Sequence, residues 1–260
     1  MHLNFQVQGE GFPLLIIHGF LGSSDNWRTP RKRLGDSYKV YSLDLRNHGD
    51  SPHSDIMNYP IMAEDLLEFV DEHNIFEAHL LGHSMGGKVA MQFATAYPER
   101  VKKLIVVDIA TKAYSPSHPP LLVALRNIYL QAFQSFGQID AALASSIRDA
   151  GVRQFLLKNL ARDPNKRFHW KIDLDAIIKN YDELTKSIVV KHRFDKRTCF
   201  IRGGRSNYIQ DEDLPFIKKM FPQAEIVTIS SAGHWVHADA PEEFLKIVTD
   251  FLKDPQESSQ

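Results

Sequence analysis

Short apolar runs, bounded by glycine or polar residues, alternate along the chain with longer segments whose apolar positions recur at helical spacing. The runs predict strands at Phe5–Gln8, Leu14–His18, Val40–Asp44, His79–Gly82, Leu104–Ile109, Cys199–Arg202 and Glu225–Ile229. The longer patterns predict helices between them, at Pro60–Asn74, Gly86–Tyr97 and Pro241–Leu252. Strand and helix in alternation imply a mainly parallel sheet covered on both faces.

The alternation breaks once. From about Lys112 to Val190 no strand is evident, and helical patterns follow one another at Pro120–Phe136, Ile139–Asp149, Val152–Leu160 and Leu174–Leu184. The expected organisation is therefore a core of residues 1–111 and 191–260, with residues 112–190 inserted as a helical cap. Six aromatics of that insertion, Phe133, Phe136, Phe155, Phe168, Trp170 and Tyr181, are candidates to line a pocket; most are expected to be cap core. Pro255–Gln260 reads as a frayed tail.

Composition narrows the function classes. The chain has 260 residues, 43% hydrophobic and 24% charged, with a formal net charge of −1. One large core is expected, and no net field favours nucleic acid or an anionic membrane. The basic run Arg28–Arg33 reads as a solvated helix face in preference to a phosphate patch. Cys199 is the single cysteine, so no internal disulfide can form, and its apolar setting suggests burial. The N-terminal stretch lacks a signal-peptide pattern and no segment approaches the ~20 apolar residues of a membrane helix. A cytoplasmic enzyme without membrane insertion is expected, as monomer or homodimer.

The chemistry centres on Gly82-His-Ser-Met-Gly86. An apolar strand runs into this G-x-S-x-G stretch and a helix leaves it, the setting in which the pattern forms a nucleophile elbow on an α/β-hydrolase fold. A strained turn there lifts the Ser84 hydroxyl above the sheet, and side chains at positions 82 and 86 would clash. The helix N-terminus beneath Ser84 favours developing negative charge. An oxyanion hole needs two backbone donors: Met85 follows the nucleophile, and Phe20, in His18-Gly19-Phe20 after the strand Leu14–Ile17, is the candidate for the second. His18, Gly19, Arg46, Trp170 and Trp235 are further candidates for substrate contact, although for Arg46 a loop-anchoring role is preferred.

Serine needs a base, and chain order in this fold runs Ser, acid, His. His234, in the loop between the strand Glu225–Ile229 and the helix Pro241–Leu252, fits that order. His237 is a weaker candidate, and no ligand cluster accompanies the pair to make a metal site. The acid is less direct. Where the loop after Cys199–Arg202 commonly carries aspartate, this chain has Asn207, whose amide cannot stabilise an imidazolium by charge. Two carboxylates remain: Asp108, ending the strand after the elbow, and Asp211, four residues beyond Asn207.

With these residues in place, the chain resembles the YbfF-type acyl esterases of the α/β-hydrolase superfamily. The resemblance is carried by His18-Gly-Phe-Leu-Gly-Ser-Ser-Asp-Asn-Trp27, Asp44-Leu-Arg-Asn-His-Gly-Asp-Ser51, Gly82-His-Ser-Met-Gly-Gly87, Val107-Asp-Ile109, Arg202-Gly-Gly-Arg-Ser206 and Gly233-His-Trp235. It implies an esterase or thioesterase with a helical cap, a small acyl ester or thioester as substrate and no cofactor. It also implies an acid on the strand after the elbow, which maps onto Asp108. The competing readings are a lyase or C–C hydrolase using the same side chains, and a non-catalytic binding protein on this scaffold.

Overall fold

A computed structural model describes residues 1–253; the tail read at Pro255–Gln260 lies outside them. The strands in chain order are β1 (Phe5–Gln8), β2 (Pro13–Ile17), β3 (Lys39–Leu43), β4 (Ala78–His83), β5 (Val101–Val107), β6 (Leu160–Arg162), β7 (Phe168–Trp170), β8 (Thr198–Gly203) and β9 (Ala224–Ile229). Seven of them form one sheet in the order β1-β3-β2-β4-β5-β8-β9. Only β1 runs antiparallel, against β3. The chain leaves β2 for β3 on one side and returns to β4 on the other. Such a reversal opens a crevice at the carboxyl ends of the strands, where open α/β sheets bind ligands.

The period of two along each strand divides the core. Leu14 and Ile16 of β2 join Trp27, Leu34, Phe244 and Val248 on one face. Leu15 and Ile17 join Leu66, Phe69, Val89 and Phe93 on the other. The first face is covered by α1 (Arg28–Leu34) and, near the C-terminus, α11 (Pro241–Leu252); the second by α2 (Tyr59–Glu72) and α3 (Met85–Ala96). Strands flanked in this way must be apolar on both sides, hence unbroken runs such as Leu14-Leu-Ile-Ile. In α1 the basic run faces water at Arg28, Lys32 and Arg33, but Arg31 turns inward and donates to Ser42 Oγ at 2.6 Å. Cys199 is buried.

Between β5 and β8 lie α4 (Pro119–Asn127), α5 (Phe136–Leu143), α6 (Ala150–Leu157), α7 (Leu174–Lys179) and α8 (Tyr181–Thr185). The expectation of no strand in this stretch is corrected by the antiparallel pair β6 and β7. Each has three residues, too few to display a period. Their turn is closed by Asp163, whose carboxylate accepts the Arg167 N–H at 2.8 Å, with Lys166 at φ 63°. The return leg is tied to the core by Tyr59 Oη donating to the Leu184 carbonyl (2.5 Å) and by a paired amide contact between Gln92 and the Val189 backbone (2.7 and 2.8 Å). After β8 come α9 (Leu214–Met220) and α10 (Val236–Asp239). No helix among the described residues is long and apolar enough to cross a membrane.

Candidate active site

β4 ends at His83 and α3 starts at Met85, leaving Ser84 alone in the turn at φ 52°, ψ −120°. A non-glycine residue there is strained, and such strain persists only where neighbours enforce it. Two glycines make the turn possible. A Cβ on Gly82 would lie 2.2 Å from the Gly86 carbonyl oxygen, and one on Gly86 would lie 2.4 Å from the carbonyl oxygens of Ile17 and His18. The Met85 N–H opens α3 and has no carbonyl four residues back to bond within the helix.

Three side chains from three strand ends converge. Ser84 Oγ lies 3.0 Å from His234 Nε2, and His234 Nδ1 lies 2.8 Å from Asp108 Oδ2. Asp108 follows β5 at φ 50° and is fully buried. Its Oδ1 accepts the Gly203 N–H at 3.0 Å, and its Oδ2 also accepts the Ser206 hydroxyl. Tyr208 stacks on the His234 ring, 3.9 Å between centroids and 19° from parallel. His83 holds the same loop, its Nε2–H donating to the His234 carbonyl at 2.9 Å. Burial first, and the neighbouring His234 and His237 after it, push the His83 pKa well below its ordinary value, so this ring is a neutral donor. Asp211 is elsewhere: its exposed carboxylate accepts from Arg202 Nη1 at 2.7 Å. Asn207 is exposed.

The α/β hydrolase fold family matches residues 13–163, more than half of the sequence. The chain belongs to the α/β-hydrolase family. It is 36% identical to the sn-1-specific diacylglycerol lipase ABHD11 of Mus musculus, over 92% of this chain and 80% of the relative. It is 32% identical to the esterase YbfF of Escherichia coli, over 96% of each. Among solved structures it superposes on a marine microorganism esterase with TM-score 0.93 and 41% identity, covering 96% of this chain and 99% of that one. It is a hydrolase of the esterase and lipase group.

In this α/β-hydrolase two cavities meet at Ser84, Phe20 and His118. The larger, about 750 Å³, is lined by Gly19, Leu121, Phe155, Trp235 and Leu245 among others. The smaller, about 60 Å³, is lined by tyrosines and by Lys88. Gly19 is glycine because a Cβ would lie 2.7 Å from His83 Nδ1. Of the six aromatics singled out between β5 and β8, Phe155 reaches the larger cavity and Tyr181 the smaller; Phe168 is buried beneath Phe136.

Two expected substrate contacts, Trp170 and His18, are corrected, and Arg46 takes the anchoring role preferred for it. Trp170 pairs in β7 and lines neither cavity. Arg46 is buried in a bidentate pair with Asp65 (2.6 and 2.7 Å) and also donates to the Ile56 carbonyl. His18 is fully buried: its Nε2 accepts the Leu45 N–H at 2.9 Å and its Nδ1–H donates to the Gly19 carbonyl at 2.8 Å. Burial lowers its pKa, and His48 beside it falls to about 3 for the same reason. His48 Nε2 accepts the Leu21 N–H at 3.2 Å, and Asp44 accepts the Ser24 N–H at 2.6 Å. The Asp44–Ser51 motif thus clamps the loop that carries Phe20. Five residues at the site, Ser206, Tyr208, His83, His118 and Lys88, are given no role by the sequence reading; Ser206 and His83 carry a signal there, as members of the Arg202–Ser206 and Gly82–Gly87 motifs.

Proposed function

We propose that this hydrolase is a serine carboxylesterase that works by two-step acyl transfer through Ser84, His234 and Asp108. The observation that carries the reading is the unbroken line of contacts from Ser84 Oγ through His234 to a buried carboxylate, at 3.0 and 2.8 Å. Both distances lie within the range that proton transfer requires. Asp108 accepts the Nδ1–H and so leaves the Nε2 lone pair facing the serine, which is the tautomer a general base needs.

In the first step His234 Nε2 takes the Ser84 proton as Oγ bonds to the carbonyl carbon of the ester. The carbonyl π electrons move to oxygen, and the oxyanion is held by the Phe20 and Met85 N–H groups. Collapse expels the alkoxide, which takes the proton from His234. Water then gives its proton to the same nitrogen, attacks the acyl-enzyme, and the acid leaves as the proton returns to Ser84. A thioester can follow the same course with thiolate as leaving group. The larger cavity, with Phe155 packed against Trp235 (5.6 Å between ring centroids), suits the apolar part of the substrate. Residues 112–190 act in this reading as the cap that covers both cavities.

Wild type should hydrolyse short p-nitrophenyl esters and be labelled by a fluorophosphonate. Ser84→Ala should abolish both; undiminished ester hydrolysis in that variant would sink the proposal. An acyl-serine mass adduct on a Ser84 peptide separates acyl transfer from a lyase that uses the same residues only as a base.

A further inference from the structure

The smaller cavity is lined by a buried amine, Lys88, with no carboxylate beside it among the described residues. Lys88 follows Ser84 by one turn of α3, about 6 Å along the axis. It is 1% exposed and lines the cavity with Tyr59, Tyr114, Tyr181 and Thr185. Its ammonium donates to the Lys186 carbonyl and lies 5.2 and 4.9 Å from the ring centroids of Tyr59 and Tyr114. Among the described residues, no aspartate or glutamate lines the cavity. Burial with no carboxylate nearby pulls the pKa of the amine down to about 7. Buried charges in proteins are paired, because removing an ammonium from water costs several kcal/mol. One carbonyl and two ring faces leave the three donors of an ammonium under-supplied.

We propose that Lys88 is a specificity-determining residue that receives a carboxylate at the far end of the acyl group, so that half-esters of short dicarboxylic acids are preferred to uncharged esters of the same shape. The inference rests on the acyl-transfer reading, because it seats the acyl group in the smaller cavity and the alcohol in the larger. Size agrees with a short chain. A water needs ~10–15 Å³ of such space, so about 60 Å³ admits roughly four to six non-hydrogen atoms. A succinyl group has five beyond its reacting carbonyl. Ser115 and Ser117 lie along the same wall.

The competing explanation is that Lys88 only ties the cap to the core through Lys186. The two differ in substrate dependence: a tie affects all esters alike, a receptor for carboxylate does not. Monomethyl succinate and methyl 4-methylpentanoate differ only in carboxylate against isopropyl, and their hydrolysis can be followed by pH-stat near pH 6.5. Wild type should favour the half-ester by tenfold or more in kcat/KM, and Lys88→Met should erase or reverse that ratio. Independently of any variant, free succinate should inhibit wild-type hydrolysis of the neutral ester at least tenfold more strongly than 4-methylpentanoate. No wild-type preference, or a preference that survives in Lys88→Met, overturns the proposal. Failure of the acyl-transfer reading looks different: neither ester would be cleaved by wild type, or Ser84→Ala would cleave both as well as wild type does.

Discussion

Asp108→Asn is the substitution whose outcome the geometry fixes most tightly. An amide is nearly isosteric with the carboxylate, so the fold should survive. The two oxygens of Asp108 face different partners, however. Oδ1 faces the Gly203 N–H at 3.0 Å, and Oδ2 faces His234 Nδ1 at 2.8 Å. An N–H can only donate, so the asparagine must turn its oxygen to Gly203 and its NH₂ to His234. The imidazole then has to accept at Nδ1 and carry its proton on Nε2, facing Ser84. That tautomer cannot take the serine proton. The opposite rotamer sets NH₂ against the Gly203 N–H and leaves a buried donor unpaired, which costs about 1–3 kcal/mol. The comparable substitution in serine proteases lowers turnover ~10⁴-fold, and here a loss of 10³–10⁴ is expected, about 4–5.5 kcal/mol of transition-state stabilisation. The assay is kcat/KM for p-nitrophenyl acetate, with circular dichroism to confirm folding. A rate within tenfold of wild type would refute the tautomer argument, while Asp211→Asn should stay within about twofold of wild type.

Four further outcomes follow from the same contacts. Ser206→Ala removes the hydroxyl that donates to Asp108 and should lower kcat/KM about tenfold, since hydrogen bonds to charged groups are worth ~1.5–3 kcal/mol; an unchanged rate would make that contact incidental. Gly86→Ala would press a Cβ to 2.4 Å from two backbone carbonyls, so urea unfolding should show a loss of about 1–3 kcal/mol, and wild-type stability would contradict the elbow argument. Asp65→Ala strands the buried Arg46 and should cost roughly 3–5 kcal/mol in the same measurement; a shift below about 1 kcal/mol would return Arg46 to the ligand-binding candidates. His48 is buried as a neutral ring, and burial lowers its pKa to about 3. The unfolded chain binds this proton first, so stability present above pH ~6.5 is lost as pH falls towards 3, and this ring should remove about 2 kcal/mol between pH 7 and 5; a flat profile of unfolding free energy there would count against its burial.

The sequence made some of this legible and left the rest out of reach for physical reasons. Apolar runs such as Leu14–Ile17 locate the strands because both faces of the sheet are covered, and period two need not be seen for the run to stand out. G-x-S-x-G locates Ser84 because the turn excludes side chains at two fixed positions. Local spacing cannot show what a polar residue does once buried. Arg46 and His18 sit at the active-site edge, as expected, yet their donors and acceptors are consumed by Asp65, Leu45 and Gly19. The short strands β6 and β7 hold three residues each, below the length at which a pattern can be read. Lys88 lies in a helix whose one-dimensional pattern reads as ordinary; its burial depends on Tyr59 and Tyr114, which are remote in sequence.

Proposing Asp108 as the acid has a structural logic that the loop sequence alone hides. β5 and β8 are hydrogen-bonded neighbours, with Val107 opposite Ile201, and the Asp108 N–H donates to the Ile201 carbonyl at 2.8 Å. Either strand end can therefore present a carboxylate towards the loop of His234. Once Asp108 does so, from a left-handed backbone position, the loop after β8 has a different task. It must supply donors to a buried carboxylate, because burying such a group without hydrogen-bond partners is costly. Gly203 and Ser206 supply them. An aspartate on that same loop, drawn in towards His234, would set two like charges on one imidazole and favour protonation of one of them. Asn207, turned to solvent, leaves Asp108 as the carboxylate in contact with His234. The serine two residues before Tyr208 and the amide beside it thus belong to one arrangement: with the proposed acid at the end of β5, the β8 loop serves as its solvation and not as the source of the charge.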